Sequence, residues 1–328
     1  MIAEIGVNHD GDIDRALQLV RVAAESGADA VKFQCFHPAR LLSNQARLAS
    51  YQTGQAGDAA ELLAPLMLSR EQLKQVRDEA RKLGLAFVAT PFSPEDVDTL
   101  SALDVDAVKI ASPDAVNIPL IRRAMSLNKP MFISTGTCTL DELQLTADWL
   151  GQHEPGGVLM QCVSSYPTPT DRASINGMVV LGERFGLPVG YSDHTQNTET
   201  GALAVAAGAI LIEKHLTHDR SAPGPDHAAS ADPTQLVEYI RLIRKAQAML
   251  GPKTKRIWDV EADVREVSRQ SVCAVRDLPA GHRLTAEDLT VKRPGTGIPA
   301  NMIEDLIGQR LGRSLRAGDL LMPGDVQP

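Results

Sequence analysis

Two lysines occupy short, β-rich and largely apolar segments, where a charged side chain is unexpected. Lys32 lies in Ala30–Phe36 and Lys109 lies in Ala107–Ser112. A buried ammonium group is costly unless it pairs with a carboxylate or meets an anionic ligand. A structural ion pair would explain either lysine alone. Ammonium and hydroxyl donors in one place, however, indicate a cradle for phosphate and carboxylate groups. The hydroxyl side chains that close neighbouring segments are Thr90, Ser112, Ser134 and Thr135.

Two histidines close the last two segments of the same series. His194 ends Pro188–His194 and His215 stands near the end of Ile210–Thr217. A single histidine in such a place is commonly a hydrogen-bonding residue. Two histidines on adjacent strands, with Glu4 of the first segment beside them, instead indicate a site for a divalent metal. Two imidazoles that leave positions open for water and substrate suit a Lewis-acid ion such as Mn²⁺.

The elements that must position these residues alternate in type over residues 1–250. Eight β-rich segments that each feed a helical pattern predict an α/β fold, a closed (β/α)8 TIM barrel. An open doubly wound sheet would be expected to carry a Gly-rich fingerprint after its first strand, and the sequence has none. The predicted strands are Ile2–Asn8, Ala30–Phe36, Ala86–Phe92, Ala107–Ser112, Met131–Gly136, Val158–Tyr166, Pro188–His194 and Ile210–Thr217. The helical patterns include Ile13–Ser26, Arg70–Leu83, Pro94–Leu103, Leu140–Leu150 and Pro233–Leu250, the last with Asp232 as its N-cap.

Polar residues stand at the carboxyl ends of all eight predicted strands, which form the functional face of such a barrel. Packing alone does not explain so many polar ends. The long connection His37–Leu68 follows the second strand, so we expect it to shape the substrate mouth. The run Pro223–His227 follows the eighth strand and predicts a turn that acts as a lid, with Asp226 as a hydroxyl-binding carboxylate. The polar ends are Glu4, Asn8, Lys32, Gln34, Thr90, Lys109, Ser112, Ser134, Thr135, Gln161, Ser164, Tyr166, Ser192, Asp193, His194, Glu213, Lys214 and His215.

The pattern changes after residue 250. Residues 251–268 are polar and predict a linker, and residues 269–328 predict a small α+β module. A module of that size has a thin core and would gain stability by docking on a larger body.

Composition excludes several classes of protein. The chain has 328 residues and a formal net charge of −8, which argues against a nucleic-acid binder. Its four cysteines (Cys35, Cys138, Cys162, Cys273) form no CxxC pair, so we expect reduced thiols. The sequence predicts no export signal and no membrane span, and therefore a cytoplasmic protein.

Short motifs in chain order resemble those of the bacterial sialic acid synthase family, which includes N-acetylneuraminate, legionaminate and pseudaminate synthases. Each motif alone is weak, but together they cover the whole chain in the right order. In the last segment, Val291-Lys292-Arg293-Pro294-Gly295 resembles the family's C-terminal SAF (antifreeze-like) domain. The barrel motifs are Ala3-Glu4-Ile5-Gly6-Val7-Asn8-His9-Asp10-Gly11, Lys32-Phe33-Gln34, Thr90-Pro91-Phe92, Lys109-Ile110-Ala111-Ser112, Ser134-Thr135-Gly136, Tyr166-Pro167-Thr168-Pro169, Gly190-Tyr191-Ser192-Asp193-His194-Thr195, Ile212-Glu213-Lys214-His215 and Pro223-Gly224-Pro225-Asp226-His227.

The resemblance implies an enzyme that condenses phosphoenolpyruvate with N-acetylmannosamine and water and releases phosphate by C–O cleavage. It implies a metal, Mn²⁺ foremost with Mg²⁺ or Co²⁺ as alternatives, on His194 and His215, and Glu4 as the group that manages the water proton. It also implies a domain-swapped homodimer, in which Arg293 reaches the sugar in the partner's barrel. The implied phosphoenolpyruvate ligands are Lys32, Thr90, Lys109, Ser112, Ser134, Ser164 and Ser192, and the implied sugar ligands are Gln34, Phe92, Asp114, Tyr166, Asp226 and Arg293.

Three positions depart from the family's commonest pattern and leave the acceptor sugar open. Cys35 stands where Thr is usual, Asp114 stands where Glu is frequent, and Ser164 stands where neuraminate-making members often have Asn. A 2,4-diacetamido-trideoxyhexose acceptor, giving legionaminate or pseudaminate, is therefore the first alternative, together with a role in spore-coat polysaccharide synthesis. A Schiff-base aldolase that uses Lys109 or Lys32 is a second. A carbohydrate- or ice-binding protein with an inactive barrel is a third, and the intact polar strand ends argue against it.

Overall fold

The computed structural model describes residues 1–48 and 57–327, and its first unit is a closed barrel of eight parallel strands in chain order. The predicted (β/α)8 barrel is therefore confirmed. Several strands end earlier than the sequence predicts, because the chain turns into loops at the mouth. The strands are β1 (Ile2–Glu4), β2 (Ala30–Cys35), β3 (Ala86–Pro91), β4 (Ala107–Ile110), β5 (Met131–Ser134), β6 (Gly157–Cys162), β7 (Val189–Asp193) and β8 (Leu211–His215).

Helices surround the barrel and begin at residues whose side chains cap them. Asp232 accepts a hydrogen bond from the amide of Gln235 at 2.8 Å and closes a capping box, as its predicted N-cap role requires. The helices are α1 (Ile13–Glu25), α2 (Pro38–Leu41), α3 (Ala59–Leu63), α4 (Arg70–Lys82), α5 (Pro94–Leu103), α6 (Ile118–Met125), α7 (Leu140–Gln152), α8 (Asn176–Phe185), α9 (Thr200–Ala206) and α10 (Pro233–Leu250). Part of the connection His37–Leu68, residues 49–56, lies outside the described residues.

Alternation along the strands separates two faces of the barrel. Residues such as Phe33 and Val108 point outwards and join the main core between strands and helices. Ile2, Ala30, Val88 and Ala107 form a smaller cluster of their own, apart from that core. Strand pairing places Glu4 beside both Lys32 and His215 in register. The barrel thus brings together polar residues that lie far apart in the sequence.

The second compact unit covers Pro252–Pro328, and the first covers Met1–Gly251. The segment predicted as a linker contains a helix, α11 (Ala262–Ser268), which its polar composition did not reveal. The unit also contains two antiparallel strand pairs around its own small core, in which Val272, Leu289 and Leu321 are buried. The pairs are β9 (Ser271–Ala274) with β10 (Leu289–Lys292), and β11 (Arg310–Leu311) with β12 (Val326–Gln327).

Within residues 1–48 and 57–327, no helix combines the length and apolarity needed to cross a membrane. All four cysteines are free thiols.

Candidate active site

A cavity of about 400 Å³ opens among the carboxyl ends of the barrel strands. Most of the residues singled out from the sequence line this single cavity, because the closed parallel barrel directs all its strand ends to one face. They are Lys32, Gln34, Thr90, Phe92, Lys109, Ser112, Ser134, Ser164, Tyr166, Ser192, His194, His215 and Asp226.

Two of the predicted site residues in the barrel unit, Glu4 and Asp114, do not line the cavity, and a third predicted residue belongs to the second unit. Glu4 is fully buried behind it, in contact with Lys32 and Gln34. Asp114 was expected on the sugar side, but its carboxylate accepts a hydrogen bond from the Asn117 side chain at 2.9 Å, at the turn that precedes α6. Arg293 is an exposed residue of the second unit.

Two lysines and two carboxylates form a buried network at the floor of the cavity. The Lys32 ammonium lies 3.2 Å from Glu4 Oε2 and 3.5 Å from Glu213 Oε1. It also lies 3.3 Å from Thr90 Oγ1. Lys109 donates to Ser134 Oγ at 2.5 Å, and Ser192 donates to Glu213 Oε1 at 3.0 Å. A single carboxylate thus faces Lys32 and Ser192 together. The floor therefore presents ammonium and hydroxyl groups to whatever enters.

Burial and the neighbouring charges together set the protonation states of the carboxyl and ammonium groups in this network. Burial raises the pKa of Glu4 to about 8, and the charge on Glu213 adds to the rise. Burial also acts on Glu213, but the charges of Lys109 and Lys32 outweigh it and lower the pKa of that carboxyl. Although Glu4 lies within ion-pair distance of Lys32, we conclude that it holds its proton at neutral pH, because burial and the charge on Glu213 outweigh the attraction of the Lys32 ammonium. Burial lowers the pKa of Lys109 to about 8. With Glu4 neutral, the floor favours an anionic ligand.

Two buried imidazoles stand side by side at the ends of β7 and β8. The ring centroids of His194 and His215 are 5.4 Å apart, and the ring of Tyr166 lies 4.1 Å from that of His194. Asp226 Oδ2 lies 3.8 Å from His215 Nδ1, and burial raises the pKa of Asp226 to about 6. Asp226 therefore faces the imidazole pair from the loop after β8.

The chemistry of these donors fits a divalent cation held by two imidazoles. His194 Nδ1 is within 2.9 Å of the Val163 carbonyl, which orients the ring and leaves Nε2 for a ligand. His215 Nδ1 is buried and has no hydrogen-bond partner among residues 1–48 and 57–327. Burial lowers the pKa of His215 well below its usual range. It is thus neutral, the form that binds metals. Among the described residues, no group of three or more His, Cys, Asp or Glu side chains is placed to hold an ion. Water and substrate would have to complete the coordination.

Sequence analysis assigned no role to Glu213 or Cys162, yet both line the cavity. Glu213 was recognised only as a polar strand end. Its position two residues before His215 on the same strand was the available signal, because alternate residues share a face. Cys162 Sγ lies 3.6 Å from His194 Nδ1, and nothing in the spacing of the cysteines indicated this contact.

The fold and the site together define a barrel with a cavity whose floor carries ammonium and hydroxyl groups beside an imidazole pair. Residues 19–255 match the model of the NeuB family, and residues 269–327 match the SAF domain. The chain belongs to the NeuB family and carries a C-terminal SAF domain. The resemblance found in the sequence motifs is thereby confirmed.

Relatives of known name extend over nearly the whole chain. The N,N'-diacetyllegionaminic acid synthase of Legionella pneumophila is 40% identical over 98% of this chain and 93% of its own length. The enzyme of the same name from Campylobacter jejuni is 35% identical over 98% of each chain. A crystal structure of the N-acetylneuraminic acid synthetase of Leptospira borgpetersenii is similar with a TM-score of 0.71 and 31% identity, covering 80% of this chain and 88% of that one.

Proposed function

We propose that the protein condenses phosphoenolpyruvate with the open-chain form of an N-acylated amino sugar and water, releasing phosphate by C–O cleavage. The observation that carries this proposal is the buried floor of two lysines and several hydroxyls next to an imidazole pair, in a barrel of the NeuB family. In this proposal the phosphate and carboxylate of phosphoenolpyruvate bind to the floor. Their ligands are Lys32, Thr90, Lys109, Ser112, Ser134, Ser164 and Ser192.

The condensation needs a proton to move between two oxygen atoms. Carbon 3 of phosphoenolpyruvate attacks the sugar aldehyde, so the aldehyde oxygen gains a proton and becomes a hydroxyl. Water adds at carbon 2 and loses a proton. Phosphate then leaves from the tetrahedral intermediate by cleavage of its bond to carbon 2 and takes the proton of the new hydroxyl, so that carbon 2 becomes a ketone. We assign this proton exchange to Glu4, because a carboxyl that titrates near neutral pH can both hold and release a proton. Glu4 lies behind Lys32, so the proton reaches it through Lys32 or a bound water.

We further propose that activity requires a divalent metal, Mn²⁺ foremost and Mg²⁺ or Co²⁺ as alternatives, held by His194 and His215. When bound, such an ion supplies Lewis-acid polarisation of the aldehyde. Chelation should abolish turnover and added Mn²⁺ should restore it. The variant His215→Ala should lose metal binding, measured by isothermal titration calorimetry, while its circular dichroism spectrum stays unchanged. Full turnover of a metal-stripped sample in chelator would refute the requirement.

For the acceptor we propose a 2,4-diacetamido-trideoxyhexose, giving a legionaminate-type acid. The names of the relatives at 40% and 35% identity support this acceptor over N-acetylmannosamine, which the sequence motifs placed first. Gln34, Phe92, Tyr166 and Asp226 are the proposed contacts of the sugar in the cavity.

A phosphate-release assay tests the proposed reaction directly. The enzyme is incubated with phosphoenolpyruvate and Mn²⁺, and with each of a small panel of amino sugars in turn. We expect phosphate only when both substrates are present. In labelled water the label should enter carbon 2 of the product and not the phosphate, since attack at phosphorus would label the phosphate. Borohydride with pyruvate should trap no imine, whereas a Schiff-base aldolase acting through Lys109 would be trapped.

We propose that the working unit is a domain-swapped homodimer in the cytoplasm, in which Arg293 binds the sugar in the partner's barrel. Large apolar side chains exposed in one stretch of the chain support a protein partner, and the four free thiols support a reducing compartment. Mixing Arg293→Ala with inactive Lys109→Ala should restore activity, because mixed dimers regain one complete site. No recovery after verified subunit exchange would exclude the swapped arrangement. The exposed apolar residues are Met249, Leu250, Ile257, Trp258, Val260, Val264 and Val267.

A further inference from the structure

The cavity has two chemically different sides. One side carries the lysines, hydroxyls and imidazoles described above. Among residues 1–48 and 57–327, the other side presents five apolar side chains and no charged group; we call these side chains the apolar wall: Val7, Phe36, Leu41, Leu63 and Phe92. A cavity built only to bind polyhydroxylated sugars would not need such a surface, because an apolar side chain offers a hydroxyl no hydrogen bond.

The residues of the apolar wall pack together in a cluster of their own. This cluster also contains Leu66 and Met67 and is separate from the main core of the barrel. The rings of Phe36 and Phe92 meet edge to face at 6.0 Å. Leu41 belongs to α2 and Leu63 to α3, both in the connection between β2 and α4.

An ion pair fixes this connection to the barrel. Arg40, next to Leu41, pairs with Asp96 of α5. Asp96 is fully buried and also accepts a hydrogen bond from Ser93 Oγ at 2.7 Å. Because loss of Arg40 would leave a buried carboxylate without its cation, α2 is held firmly at this place. Leu41 therefore presents a fixed surface to the cavity.

The order of the strands sets which end of a sugar meets the wall. The imidazole pair stands at the ends of β7 and β8, whereas the wall residues follow β1, β2 and β3 or lie in the connection after β2. β1 pairs with β8 in the closed barrel, whereas β2 and β3 lie two and three strands round from β8. An acceptor whose aldehyde carbon lies at the imidazole pair, above the floor, therefore extends its far end past β1 towards the ends of β2 and β3. That far end carries carbon 6.

We propose that the apolar wall is the specificity determinant for carbon 6 and selects acceptors that carry a methyl group there over those that carry a hydroxymethyl group. This inference rests on the proposed function, since it assumes an aldose acceptor with its aldehyde at the imidazole pair. A hydroxyl buried against the wall loses its hydrogen bonds to water and gains none. Leu41 and Leu63 are the residues through which the chain sets this preference.

The test uses two sugars that differ by one oxygen atom, N-acetylmannosamine and its 6-deoxy derivative. We expect kcat/KM of the native enzyme to favour the 6-deoxy sugar by about 10-fold or more, the range for one added polar group in an apolar pocket. Leu63→Asn is nearly isosteric and gives the hydroxyl a partner, so the ratio should fall to about 2 or less. The KM for phosphoenolpyruvate should not change. Leu62→Asn is the matched control, because Leu62 lies on the same helix and does not line the cavity.

Non-reacting ligands separate this inference from the proposed reaction. The alditols of the two sugars cannot condense, and their affinities are measured by calorimetry in the presence of phosphoenolpyruvate. A 6-deoxy preference in binding, without turnover of the two sugars or of a 2,4-diacetamido-trideoxyhexose, would support the role of the apolar wall and refute the proposed reaction. Turnover with equal kcat/KM for both sugars would refute the role of the apolar wall in specificity but would be consistent with the proposed reaction. If Leu63→Asn does not fold, Leu41→Asn carries the same expectation, and an unchanged ratio in a folded variant overturns the inference.

Discussion

Two buried lysine networks lie on opposite faces of the barrel sheet. They differ in whether all of their polar groups are hydrogen-bonded. On the outside of β8, Lys214 pairs with Asp193 at 3.1 Å and contacts the Thr195 carbonyl. Asp193 also accepts hydrogen bonds from Tyr239 Oη at 2.9 Å and from the Thr195 amide at 2.8 Å. On the inside, the network of Lys32 and Lys109 leaves buried polar atoms without a hydrogen-bond partner in the described part of the chain. These atoms are Glu4 Oε2, which has only its ion pair with Lys32, and Glu213 Oε2 and His215 Nδ1.

The difference separates a structural network from a functional one. Buried polar groups in folded proteins are almost always hydrogen-bonded, so unsatisfied atoms require an explanation. The outer network, between the strands and α10, satisfies its groups and holds two layers together. The inner network faces the cavity and is completed only when ligands arrive. Because alternate residues of β8 point to opposite faces, Glu213 and His215 belong to the inner network and Lys214 belongs to the outer network.

The largest effect should come from Lys109→Met, which removes an ammonium from the inner network. We expect kcat/KM for phosphoenolpyruvate to fall about 10³-fold, since one preorganised donor to a reacting anion contributes that much. The free energy of unfolding should not fall. The depressed pKa of Lys109 shows that its charge is unfavourable in the folded chain, and Glu213 keeps Lys32 and Ser192 as partners. Urea unfolding and steady-state kinetics on the same sample measure both quantities.

Lys214→Met is the matched change in the outer network. It should reduce the stability of the protein and largely preserve the function of the cavity. It leaves the fully buried Asp193 without its cation, so the free energy of unfolding should fall by about 3–5 kcal/mol. The metal affinity and the KM for phosphoenolpyruvate of the folded fraction should change far less than in Lys109→Met. Equal losses of stability in the two variants would remove the distinction between the networks.

The pH dependence of phosphoenolpyruvate binding should also distinguish the inner network from the outer one. The pKa values of Lys109 and Glu4 are both about 8. As pH rises through 8, Lys109 loses a positive charge and Glu4 gains a negative one, so both changes weaken the binding of phosphoenolpyruvate. Its Kd should rise by between about 10-fold and 100-fold per pH unit above 8. Glu4→Gln should reduce this slope to about 10-fold, and Lys214→Arg should leave it unchanged. A Kd that is flat between pH 7 and pH 10 would contradict the assignment.

The sequence was sufficient to predict the barrel and most of the cavity, because both follow from local rules. Polar residues at the ends of β-rich segments converge in any closed parallel barrel, which is why Lys32, Ser134 and His194 meet although they are far apart in the chain. The same rule did not assign a role to Glu213. Its neighbour Lys214 is equally polar, and only the strand's alternation, seen with its register, separates them.

Local sequence rules could not predict the apolar wall. Its leucines come from short helices in a connection without periodicity, and Leu63 joins one cluster with Val7, which is more than fifty residues away in the sequence. The partner of Asp114 was also beyond local rules, because a single 3-10 turn after β4 brings its carboxylate to the side chain of Asn117. The helix α11 was missed since its composition is as polar as that of a linker. In each case, tertiary contacts or turn geometry decided the outcome.

The smallest effect should come from the hydroxyl of Tyr239, the outermost member of the outer network. Its ring packs on Gly201 of α9, where an added methyl group would lie 2.6 Å from Tyr239 Cζ, so the ring itself must stay. Tyr239→Phe keeps that packing and removes one of the donors to Asp193, which retains Lys214 and the Thr195 amide. We expect a loss of about 1.5–3 kcal/mol in the free energy of unfolding, the value of a hydrogen bond to a charged group. Turnover and the alkaline slope of phosphoenolpyruvate binding should be unchanged, because Asp193 points away from the cavity. A drop in kcat comparable to that of Lys109→Met would show that the two networks are coupled through β7, and that the outer lysine acts on the chemistry as well as on the fold.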